Sequence, residues 1–101
     1  MLESQAPTIS RTMTITHAEF RRTLANAVVG WDYRVQGDEI YVSLDSDTGI
    51  HIHLSEEYQR PIGPTVSLPQ VEVTMEFVGL TSVEADVFLQ RFDRYFQRGG
   101  G

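Results

Sequence analysis

From Trp31 to Leu54, apolar and polar residues alternate with a period of two, the pattern of strands that bury one face. Trp31, Tyr33 and Val35 alternate with Asp32, Arg34 and Gln36, and Ile40, Val42 and Leu44 alternate with Glu39, Tyr41 and Ser43. Gly37-Asp38 between the two runs has the composition of a two-residue hairpin turn. Such a turn sets Val35 against Ile40, Tyr33 against Val42 and Trp31 against Leu44, so every apolar residue meets another. A polar segment, Asp45 to Gly49, leads to a third run in which Ile50, Ile52 and Leu54 alternate with His51 and His53. With Leu44 opposite Ile50, Val42 faces Ile52 and Ile40 faces Leu54. His51 then lies beside Ser43, and His53 beside Tyr41, on the other face. These runs predict a three-strand antiparallel meander.

Two stretches shift to a helical period. Thr16-His17-Ala18-Glu19 reads as a capping box, with Phe20, Leu24, Ala27 and Val28 following on one face and Gly30 as the stop. Thr81-Ser82-Val83-Glu84 reads as a second capping box, ahead of a core stripe of Val83, Val87, Phe88, Phe92, Tyr95 and Phe96. Acidic residues near the start of this second helix, and Arg91, Arg94 and Arg98 toward its end, complement the helix dipole. Ahead of it, Val71–Phe77 alternates again, with Val71, Val73, Met75 and Phe77 inward and Glu72, Thr74 and Glu76 outward.

Residues 55–69 read as a long connection. Pro61, Pro64 and Pro69 exclude a helix there and disfavour a paired strand. The connection has the reach to place the Val71–Phe77 strand beside either the histidine strand or the Trp31 strand. Its Arg60, Ile62, Val66 and Leu68 form a recognition surface or tuck over one edge of the sheet as a lid, and the lid is the expected arrangement. Residues 1–13 are polar and aperiodic and read as a flexible arm; residues 14–98 form one domain and 99–101 a glycine tail. The predicted class is α+β: a two-layer sandwich in which a four-stranded, mainly antiparallel sheet carries both helices on one face, in the order α-β-β-β-β-α. Trp31, Phe20, Phe88 and Phe92 are expected at its centre.

Charge narrows the choice of partner. The 101 residues carry a formal net charge of −6, and residues 31–90 hold two arginines against eleven acids. Such a body repels a phosphate backbone, so nucleic acid is not an expected partner. A single Arg98-Gly99-Gly100 is too little for an RNA-binding tail of repeated Arg-Gly-Gly. The chain has no cysteine, which excludes disulfides, zinc–thiolate sites, iron–sulfur ligation and a cysteine nucleophile. No apolar run has signal-peptide or membrane-span length, so a cytoplasmic protein that does not engage membranes is expected.

Candidate chemistry is confined to the polar sheet face. His51 and His53, two residues apart on one strand, can share a metal if Glu72 or Glu76 of the neighbouring strand completes a two-histidine, one-carboxylate set. His-x-His alone is also what an ordinary solvated strand face presents, and no third ligand sits at a diagnostic spacing. No nucleophile elbow, phosphate-binding GxxxxGK or GxGxxG motif occurs, and no cofactor is called for. The leading expectation is a non-catalytic binding or adaptor module that meets another protein, or a second copy of itself. Its interaction surface would comprise Tyr41, His51, His53, Arg60, Ile62, Val66 and Leu68. The alternative is a metal- or small-ligand-binding protein, an enzyme among the options, built on the histidines.

Overall fold

The computed structural model describes residues 6–100. Residues 1–5 and 101, and the side chains of 98–100, lie outside the described residues, and with them part of the expected arm and of the glycine tail. The chain folds as β1 (Ile9–Met13), α1 (His17–Ala27), β2 (Asp32–Gln36), β3 (Glu39–Ser43), β4 (Gly49–Leu54), β5 (Tyr58–Pro61), β6 (Ser67–Val78) and α2 (Ser82–Gly100). The strands form one antiparallel sheet in the order β1-β6-β4-β3-β2, with β5 paired to the early part of β6. The α+β class holds, but the sheet has six strands rather than four.

Both expected N-caps form, and the second is a full capping box. The Thr16 hydroxyl accepts from the Glu19 N–H at 3.1 Å. At α2 the exchange is reciprocal, Glu84 N–H to Thr81 Oγ1 at 3.2 Å and Thr81 N–H to Glu84 Oε1 at 2.9 Å. Phe20, Leu24 and Val28 of the first helical segment meet Ala85, Phe88, Phe92 and Phe96 of α2 in one buried cluster. The inward strand residues Ile40, Val42, Ile50, Ile52, Leu54, Val71, Val73, Met75 and Phe77 complete that cluster, while the alternate residues face outward.

Four expectations are corrected. Ile9–Met13 is not a loose arm but an edge strand, paired Ile9 to Met75 through Met13 to Val71. Its Ile9 and Met13 pack against the core, which two apolar residues in an otherwise polar stretch do not announce. In α2, Val83 and Val87 are 73% and 65% exposed, because the buried face runs through Ala85, Phe88, Phe92 and Phe96. The glycine tail is partly helical, since α2 extends through Gly99 and Gly100. Trp31 is half-buried at the rim rather than central, with the Arg91 guanidinium 4.9 Å from its ring centroid.

The proline-rich connection is the largest correction. It is neither a loop nor a lid: β5 pairs with β6 from Tyr58↔Gln70 to Pro61↔Ser67, and every residue from Glu56 to Leu68 is exposed. The Ile62 N–H donates to the Val66 carbonyl at 2.9 Å, closing the turn around Gly63-Pro64-Thr65. Hydrogen-bonded and non-bonded pairs alternate in an antiparallel ladder, so Gln59↔Pro69 and Pro61↔Ser67 are the non-bonded ones. Each proline therefore stands where its missing N–H is not needed.

Candidate functional site

The β3–β4 turn decides which outer-face residues meet. The Asp45 carboxylate accepts from the N–H groups of Asp47 and Thr48 and from the Thr48 hydroxyl, at 2.9, 3.0 and 2.9 Å. The backbone N–H of Asp47, then the Thr48 hydroxyl, hold the Asp45 carboxyl below the usual carboxylate range. The Leu44 N–H closes onto the Thr48 carbonyl at 3.0 Å, so the loop is tighter than its five polar residues suggest. The register is displaced by two residues from the expected one: Ile40 faces Ile52, Val42 faces Ile50, Tyr41 faces His51 and Glu39 faces His53. The faces are unchanged, because a two-residue slip preserves the pleat.

That displacement gives the histidines a partner the expected register did not provide. Glu39 lies between them, accepting from His51 Nε2 at 2.5 Å and from His53 Nδ1. These bonds, that of His53 first, draw the Glu39 carboxyl below its ordinary range. Tyr41 stacks on His51 with ring centroids 4.6 Å apart and planes 3° from parallel, and the Arg34 guanidinium lies 5.0 Å from the centroid of the Tyr41 ring. The result is a layered stack, Arg34 on Tyr41 on His51, with Glu39 bonded at the edge of the His51 ring.

On the opposite side of β4 lies β6, so the strand carrying the glutamates is beside the histidine strand. Glu76 faces His51, with His51 Nδ1 and Glu76 Oε1 3.5 Å apart. His51 therefore stands between two carboxylates, Glu39 at Nε2 and Glu76 at Nδ1. Glu72 is turned the other way and accepts a 2.5 Å hydrogen bond from the Thr12 hydroxyl of β1. Of the two candidate carboxylates, Glu76 therefore lies beside His51 and Glu72 does not. Among the described residues, no three His, Asp or Glu side chains are grouped to hold a metal ion.

The other half of the expected surface lies on the β5–β6 arm. Cross-strand partners share a face, so Tyr58, Arg60 and Ile62 line up with Gln70, Leu68 and Val66 on the side that carries Glu72, Thr74 and Glu76 farther along β6. Tyr58, Ile62, Val66 and Leu68 are all exposed. The arm is rooted, not loose. At its base His17 Nε2 donates to the Ser55 carbonyl at 2.7 Å, and the His17 backbone N–H donates to Glu57 Oε1 at 3.0 Å. A carboxylate at the first turn of α1 also matches the positive end of the helix. Gln70, buried, donates from its amide to Thr14 Oγ1 at 3.3 Å.

Sequence reasoning missed Glu39, Tyr58, Arg34 and the anchoring role of His17. Glu39 needed the tighter turn, for which the Asp45-x-Asp47-Thr48 pattern is the readable signal. Tyr58 needed the arm to be recognised as a hairpin. Open clefts follow the β2–β3–β4 end of the sheet. One of 440 Å³ is lined by Gly30, Trp31, Asp32, Ser43, Leu44, Asp45 and Ser46. No family model, curated protein or solved structure matches the chain. Among the described residues, no helix is long and apolar enough to cross a membrane.

Proposed function

We propose that this chain is a small cytoplasmic, non-catalytic binding module that engages another protein through the outer face of the β5–β6 arm, with the Arg34–Tyr41–His51 stack and Glu39 extending the contact. One observation carries the proposal. The arm displays Tyr58, Ile62, Val66 and Leu68 on one face, and every residue from Glu56 to Leu68 is exposed. Isolated two-stranded hairpins are marginal in water, yet this one is stiffened by three prolines and anchored through His17, Ser55 and Gln70. Surface kept rigid and apolar at a conformational cost suits recognition, since a pre-ordered contact loses less entropy on binding.

Arg60 within that face supplies one cation among apolar anchors, which fits a partner segment with apolar side chains and an acidic residue. The test is proximity labelling in cells, comparing wild type with the Tyr58→Ser/Ile62→Ser/Leu68→Ser variant. Binding of the identified partner is then measured with purified components. The triple variant is expected to keep the wild-type melting temperature and to lose at least about 2 kcal/mol of binding, since such anchors dominate interfaces. A partner bound equally by both proteins removes the arm from the proposal. Titration with zinc, nickel and manganese, followed on the histidine ring signals, decides the metal alternative. Stoichiometric micromolar binding at His51 and His53 would replace the present reading.

A further inference from the structure

We propose that the chain self-associates through β2, as an antiparallel edge-to-edge dimer whose two-fold axis passes through Tyr33. This surface is separate from the arm and shares only Arg34 with the contact proposed above, so Asp32→Arg tests it without touching that contact. β2 ends the sheet order, so one side of its backbone is paired with β3 and the other has no neighbouring strand among the described residues. Gly37 has a φ of +61° and Asp38 has none above zero, the arrangement of a type II′ two-residue turn. In that turn the flanking residues Gln36 and Glu39 form a hydrogen-bonded pair, and bonding alternates along the ladder. The backbone groups of Tyr33 and Val35 are therefore the ones that point outward.

The side chains around this edge also lack cover. All five residues of β2 are exposed, and on the helix side Tyr33 and Val35 are 41% and 42% exposed. Arg91 of α2 donates to the Val29 carbonyl at 3.0 Å and lies over Trp31, so this side of α2 faces the β2 edge. Val87 and Val83, one and two turns before Arg91, occupy the same side and are exposed, as is Val29. Half of the large exposed apolar residues thus gather at this one border.

The sequence of β2 selects a second copy as the occupant. A two-fold axis perpendicular to the sheet keeps like faces together, so the allowed registers centre on Tyr33, Arg34 or Val35. Centring on Arg34 opposes two arginines, and centring on Val35 leaves Tyr33 facing a glycine. Centring on Tyr33 places Asp32 opposite Arg34 of the second copy, twice by symmetry, in the close non-hydrogen-bonded positions. The same register stacks Tyr33 on its own copy, sets Val35 beside Trp31, and brings the helix-layer valines of the two copies toward one another. Charge and apolar pairing agree in this register alone.

Sedimentation equilibrium of the full chain tests the proposal. Wild type is expected to dimerise across the micromolar range. Asp32→Arg and Arg34→Asp each convert two attractive pairs into two repulsive ones and should raise the dissociation constant on the order of tenfold or more. Mixed together, the two single variants become complementary at both positions, and a heterodimer should form from two proteins that do not self-associate. That recovery shows that both variants are folded. A wild type that stays monomeric, charge reversals without effect, or a mixture that fails to associate would each overturn it.

Discussion

The two edges of this sheet are built from strands of equal length and have opposite fates. At β1, Ile9 and Met13 pack against the core, and Arg11 reaches Asp93 of α2 with its guanidinium 5.9 Å from the Phe92 ring centroid. The outer residues of β1 are engaged too, Ser10 with Thr74 and Thr12 with Glu72. At β2 all five residues are exposed, and the helix layer still leaves Tyr33 and Val35 41% and 42% exposed. Dimensions account for the contrast. Two helices side by side cover about 20 Å, and five strands at just under 5 Å each take up about 24 Å. One edge strand is left with less cover than the other.

The sharpest way to break this comparison is to remove apolar volume at each side in turn. Phe92 is buried against Phe20, Phe88 and Phe96, with ring centroids 6.1, 6.1 and 4.3 Å away. Phe92→Ala should cost about 3–5 kcal/mol in urea unfolding, because it removes transfer energy and leaves a cavity. Val35→Ala should cost under about 1 kcal/mol at concentrations where the chain is monomeric, because much of that side chain is already in water. Comparable losses at the two sites would mean that β2 is covered after all.

Why the edges were not equally legible follows from the same contrast. Alternation and the Gly37-Asp38 turn specify β2 and its pairing with β3, and the structure returns those partners from Tyr33 to Gln36, the ladder stopping short of Trp31. Alternation also assigned Tyr33 and Val35 to the helix side, but periodicity says which face a residue is on, not whether a helix reaches it. β1 escaped because Ile9 and Met13, four residues apart, flank a polar Ser10-Arg11-Thr12. The β3–β4 register is two residues from the expected one because apolar matching alone favours the other setting, three pairs against two, and the Asp45 turn outweighs it. For the arm, proline was read as a barrier to pairing when its position in the ladder was what mattered. Val83 and Val87 lay next to the true stripe of α2, and apolarity alone does not separate adjacent helix faces.

A gentler comparison uses the two arginines, which serve different edges. Arg11→Gln removes the contact with Asp93 and the Phe92 ring while leaving the ladder intact. Both partners of the pair are about one-third exposed, so screening limits the loss to about 1 kcal/mol, seen equally at all protein concentrations. Arg34→Gln loses its stack on Tyr41 and should move the monomer less, while weakening self-association. A thermal melt at low and high protein concentration separates the two. Arg11→Gln shifts both curves alike, and Arg34→Gln reduces the concentration dependence. Identical behaviour would erase the distinction between a closed and an open edge.

The smallest expected effect is in acid, and it also falls on the β2 half of the sheet. Glu39 on β3 and Asp45 in the β3–β4 turn both have carboxyls held below their usual range, by His53 and His51 in one case and by Asp47 and Thr48 in the other. A carboxylate with a lowered folded pKa adds stability above its unfolded pKa, and that contribution is lost as pH falls through the folded value. The window therefore opens near pH 4, where unfolded carboxylates begin to protonate, and extends downward. Glu39→Gln with Asp45→Asn keeps hydrogen-bonding side chains while removing both titrations. The double variant should melt below wild type at neutral pH, and the gap should close as pH drops below about 4. A gap that stays constant through that range would show that the two carboxylates serve only as neutral hydrogen-bond acceptors. The open edge would then be held by turn geometry and not by charge.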